Sequence, residues 1–140
     1  MVASVYGSCD FSDREIVAAG GWHESYSHVV AKASVGGDRL VILVDTNHDN
    51  GGGYVFVDLY EVTKAGTLRG LGGTNAGGGG SGWLGGVTFA YGKAMPDSLE
   101  TVTVEFDTQQ YEVPIQRGWW LFAVDRPEFD YVEEPHLVLP

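Results

Sequence analysis

The chain has 140 residues, a formal net charge of −11, 21 glycines and one cysteine, Cys9, which fits a single domain with its own core and excludes an intrachain disulfide or a cysteine-based zinc site. Ten of its 19 acids lie in residues 97–140, against two bases there, Arg117 and Arg126, so the field repels phosphate backbones and anionic membranes and suits a cation or a basic partner. No run approaches the ~20 apolar residues of a membrane-spanning helix, and the opening MVASVYGSCDF lacks the basic and apolar regions of a signal peptide.

The first element is a short helix. Ser12 and Glu15 stand at capping-box spacing, Ile16 to Ala19 continue it, and Gly20-Gly21 end it; a strand entered through a turn is the competing reading. From Ser27 the period changes. SHVVAKASV (27–35) reads as a strand, Gly36-Gly37-Asp38 as a turn, and RLVILVDT (39–46) as a second strand, apolar on both faces and therefore central. YVFVDLYEVT (54–63) alternates Val55, Val57 and Leu59 against Tyr54, Phe56, Asp58, Tyr60 and Val62. The first set is expected in the core, and the second on an outward aromatic-polar face.

Residues 70–86, GLGGTNAGGGGSGWLGG, read as a glycine-rich loop. It is no phosphate loop, because the Lys-Ser/Thr pair is missing and no helix follows. VTFAYGKA then returns to strand. ETVTVEFD (100–107) and YEVPIQ (111–116) form a hairpin by alternation, with Pro114 placing its strand at an edge or a bulge. Arg117-Gly118 turns again into WWLFAVD (119–125), and the acidic C-terminal segment 125–140 runs over the surface, with HLVL docking as a last short strand. About seven to nine short strands without helical crossovers predict an all-β, antiparallel two-sheet sandwich, Ig-like or Greek-key, with at most one short N-terminal helix.

Candidate sites are few. DTNHDNGGGY (45–54) spaces Asp45, Asn47 and Asp49 like the first ligands of a calcium loop, but Phe56 stands where an EF-hand needs its bidentate Glu. A Ca²⁺ site in a β-hairpin loop is one reading; a glycine-rich turn in which Asp and Asn make Asx turns is the other. The histidines His23, His28, His48 and His136 show no metal-binding spacing. No GxSxG nucleophile motif occurs. Glu105 and Glu112 could face each other across the hairpin, which would suit a small hydrolase.

Trp119 and Trp120 must point to opposite faces of one strand, and Trp83 ends the glycine segment. Exposed aromatics on a sandwich make contact surfaces, so Trp83, Trp120, Tyr54 and Tyr60 are the candidate ligand-binding residues. The function expected from this pattern is a non-enzymatic binding or structural domain. It would be displayed outside the cytoplasm as an ectodomain, spacer or decoration. The alternative is a carbohydrate-binding module with a Ca²⁺ loop. A protein partner or self-assembly is expected ahead of a small molecule, with a glycan as the other option and neither nucleic acid nor membrane insertion.

Overall fold

The computed structural model describes residues 11–22, 27–46, 54–75, 79–94, 100–127 and 134–138. Its elements are α1 (Asp13–Ala19), β1 (Ser27–Val35), β2 (Arg39–Thr46), β3 (Tyr54–Val62), β4 (Leu68–Asn75), β5 (Gly79–Leu84), β6 (Val87–Lys93), β7 (Thr101–Phe106), β8 (Gln109–Gln116), β9 (Trp119–Asp125) and β10 (His136–Leu137). The strands form two antiparallel sheets, ordered β1-β2-β3-β4 and β10-β7-β8-β9-β6-β5. The all-β sandwich expected from the alternation is the observed architecture, and the one helix among the described residues is short. Among the described residues no helix is long and apolar enough to cross a membrane.

Helix α1 forms where the capping box predicts it. The Ser12 hydroxyl accepts from the Glu15 N–H at 3.1 Å, and the Glu15 carboxylate accepts from the Ser12 N–H at 2.9 Å. The Ser12 backbone N–H, and after it the Ser12 hydroxyl, hold the Glu15 carboxyl below its ordinary pKa. The helix buries Ile16 and Val17 against the first sheet.

Three apolar layers follow. Val41, Leu43, Val57 and Leu59 of the first sheet meet Phe89, Tyr91, Trp119 and Leu121 of the second in the central core. Leu40, Ile42 and Val44 use the other face of β2 to meet α1. Strand β2 is therefore covered on both sides, as its unbroken apolar run requires. The third layer lies behind β6 and β9. There Ala90, Trp120 and Phe122 meet Val104, Phe106 and Val113 of the β7–β8 hairpin, which folds back over that face.

Two expectations are corrected. The segment 70–86 is not a loop throughout, since its glycines belong largely to edge strands β4 and β5. Residues without side chains leave no alternation to read, yet their backbones pair normally. Gly80 and Gly82 lie opposite Tyr91 and Phe89, whose rings cover them, the arrangement by which a cross-strand aromatic compensates an edge glycine. The outward face expected for β3 is also covered. Tyr60 is only 1% exposed within the α1 layer, because the segment 11–22 folds across that side of the sheet.

Candidate functional site

The site grows from one proline. Antiparallel strands expose alternate residues to each neighbour. The Ile115 N–H donates to Glu100 O at 2.9 Å, so the odd-numbered backbone groups of β8 turn toward the β7 side. The even-numbered ones turn toward β9. On β9, the Ala94 N–H donates to Gly118 O at 2.8 Å, so the even-numbered groups of β9 serve β6 and the odd-numbered ones face β8. The β8–β9 pairing starts at Gln116–Trp119 and Ile115–Trp120 and goes no further. The next pair would be Pro114 with Leu121, and Pro114 has no N–H to donate.

Beyond that point the strands diverge, and a cleft of about 750 Å³ opens between them. Gln110 to Pro114 form one wall and Leu121 to Val124 the other, with Ala33 of β1 on the side of the first sheet. The lining is largely apolar. Glu112 is the one charged residue among the described residues of that lining. Two backbone edges face the cleft: Gln110 and Glu112 on β8, and Leu121, Ala123 and Asp125 on β9. Among the described residues, no strand pairs with either edge there.

The closed end of the cleft is bolted to the first sheet. Gln116 accepts from the Lys32 N–H at 3.0 Å and donates its side-chain amide to Lys32 O at 2.9 Å. Arg117 donates to Val29 O, next to the irregularity in β1 between Val29 and Ala31. These contacts hold the β8–β9 turn on the outer edge of β1, so the cleft has a fixed vertex.

A second polar constellation lies under the helix layer. Trp22 Nε1 and the Tyr60 hydroxyl both donate to Asp58 Oδ2, at 2.6 and 2.8 Å. Burial raises the Asp58 pKa, while the bonds from Tyr60 and Trp22 oppose the rise. Burial and the neighbouring Asp58 charge push the Tyr60 hydroxyl up. A Cβ on Gly73 would strike Asp58 Oδ1, and one on Gly20 would strike the Tyr60 hydroxyl. The half-buried carboxylate is thus crowded by its own chain. Its chemistry is that of a tie between Trp22 and β3.

The residues singled out by sequence scatter. Trp120 is 6% exposed in the third layer and Tyr60 is in the α1 layer, so neither presents a contact surface. Trp120 is covered because the β7–β8 hairpin folds over the face it was expected to share with solvent. Trp83 is 37% exposed on edge strand β5. Asp45 is the last residue but one of β2, opposite His28 and Val55. Asn47, Asp49, His23, His48, Cys9 and the side chain of Tyr54 lie outside the described residues. No cluster of three or more His, Cys, Asp or Glu occurs among the described residues. Glu105 pairs with Gln110 and Glu112 with Thr103, so the two carboxylates are staggered by two positions, and Glu105 is bonded to His136 at 3.1 Å.

The cleft itself escaped sequence reasoning, although its signal was present in Pro114. A proline inside an alternating strand marks where pairing fails, but not which neighbour is lost. Compared with known proteins, the chain matches no family model, and no curated protein or solved structure is significantly similar to it.

Proposed function

We propose that this chain is a non-enzymatic interaction domain whose binding surface is the β8–β9 cleft. One observation carries the reading: a fixed, largely apolar cleft bounded by two strand edges that no described strand occupies. Exposed strand edges are ready-made templates for pairing and are otherwise blunted or covered in stable domains. A cleft of this size falls within the range of ligand sites. A protein partner suits it better than a compact small molecule, because backbone groups line both walls. Display outside the cytoplasm, as an ectodomain, spacer or surface decoration, belongs to the same proposal and is supported by composition.

The test is a selection of displayed random decapeptides on the full chain. Binders should lose about tenfold or more in affinity on Pro114→Thr, which restores the missing donor and lets β8 close on β9. Failure to select any binder, or binders indifferent to Pro114→Thr, would remove the cleft from this role.

A second reading rests on Trp83, the exposed tryptophan of edge strand β5. Such a ring can stack on a sugar. It predicts quenching of tryptophan fluorescence by members of a glycan panel, lost in Trp83→Ala.

A further inference from the structure

We propose that the occupant of the cleft is an extended, basic segment of a protein partner, added as a strand to the free edge of β9. The inference deepens the reading of the cleft as the binding surface and rests on it.

The two walls are not equivalent. The β8 wall presents Gln110 and Glu112 and then Pro114, which offers a carbonyl but no donor. The β9 wall presents Leu121, Ala123 and Asp125, each with both backbone groups turned away from β6. Leu121 to Asp125 is a five-residue edge, the usual length of a strand. A guest segment laid along it forms main-chain bonds at every second residue, and its side chains alternate between the two faces. Toward the first sheet they meet Ala33 and Leu121; toward the hairpin they meet Tyr111, Val113 and Phe122. Small or β-branched apolar residues suit the contacts toward the hairpin.

Charge selects the remaining positions. Glu112 is exposed and is the one charged residue among the described residues of the lining. The chain around it has a net charge of −11. Lys or Arg at the outward positions of the guest is favoured, while an acidic segment is repelled during approach and again at the wall. Proline in the guest is excluded wherever its N–H must reach β9.

The probe is a capped decapeptide alternating Lys with Val, compared with its Glu-Val counterpart by calorimetry on the full chain. The Lys-Val peptide should bind, the Glu-Val peptide should bind at least about tenfold more weakly, and Glu112→Lys should narrow that gap. N-methylation of one set of alternate residues should weaken binding about tenfold, whereas the other set should change it little, because only one set faces β9. Equal binding of the two peptides, or indifference to both methylation patterns, overturns the basic-strand inference, while loss of binding on Pro114→Thr would still support the cleft. Absence of binding by the Lys-Val peptide overturns the inference outright. A dimer in sedimentation velocity that Pro114→Thr abolishes would assign the cleft to a second copy of this chain, and overturns it as well.

Discussion

Pro114 stands opposite Leu121 at the point where β8 and β9 part, and the lost donor there ends the pairing. The sheet is continuous on one side of this pair and open on the other. Pro114→Thr is therefore expected to extend the ladder by one bond, from the new N–H at position 114 to Leu121 O, protect that N–H from hydrogen exchange and narrow the cleft. The net gain from such a bond is about 0.5–1.5 kcal/mol. Unprotected exchange of that N–H would mean that something other than the proline holds the strands apart.

The vertex of the cleft depends on Gln116. Its side-chain amide satisfies both backbone groups of Lys32 on the outer edge of β1. Gln116→Ala removes a donor and an acceptor together and should cost about 1–3 kcal/mol in urea unfolding. Gln116→Glu keeps an acceptor for the Lys32 N–H but sets a carboxylate against Lys32 O, and should be no more stable than the alanine variant. A loss below about 0.3 kcal/mol for both would show that the bolt is dispensable.

Asp58 makes stability depend on pH in an unusual direction. Its pKa is raised in the fold, so the native state binds the proton more tightly than the unfolded chain. Its contribution is fully present below the unfolded value of about 3.9 and is lost as pH rises through the higher folded value. Asp58→Asn keeps an oxygen for Trp22 and Tyr60 and removes the titration. Relative to Asp58→Asn, the native protein should lose stability as pH rises through that window. Asp58→Leu should cost about 1–3 kcal/mol, since it leaves two donors without an acceptor. Denaturant melts across the acid range check both, and parallel pH curves for the native and Asn proteins would refute the assignment.

The β7–β8 turn carries removable strain. Asp107 and Thr108 both have positive φ, 55° and 62°, the geometry of a tight two-residue hairpin turn that favours Asn-Gly. A β-branched residue is especially poor there. The double change Asp107→Asn, Thr108→Gly should stabilise the protein by about 1 kcal/mol and leave the cleft intact. The first change also removes the Asp107–Arg126 ion pair at 2.8 Å, an exposed pair of small worth. A lower melting temperature in the double variant would contradict this account.

The 45–54 stretch makes its own prediction. If Asp45, Asn47 and Asp49 bind Ca²⁺, about 5 mM CaCl₂ should raise the melting temperature over EDTA. Asp49→Ala should abolish the rise. No shift would remove the Ca²⁺ reading.

Much of the architecture was legible because period-two patterns are local. Ser12 and Glu15 announce the helix, and the hairpin 100–116 reads directly from Val102, Val104 and Val113. What a strand's second face meets is not local. Asp58 and Tyr60 looked outward because nothing in residues 54–63 records that Trp22 and the helix fold over them. Trp120 looked like a surface residue because its cover comes from a hairpin that precedes it. Glycines 70–82 looked like loop because pairing by bare backbone has no side-chain signature. The cleft lies between these cases: Pro114 marks the break, and only the register of β8 on β9 shows that the pairing lost is the one between these two strands.

The most direct measurement is an amide chemical-shift titration of the ¹⁵N-labelled chain with the Lys-Val decapeptide. The shifted amides should cluster at Gln110, Glu112 and Leu121 to Asp125, with little change at Trp83 and on β4. Shifts centred on Trp83 and β5, or spread evenly along the acidic surface without those residues, would contradict the claim that the β8–β9 cleft is the binding surface.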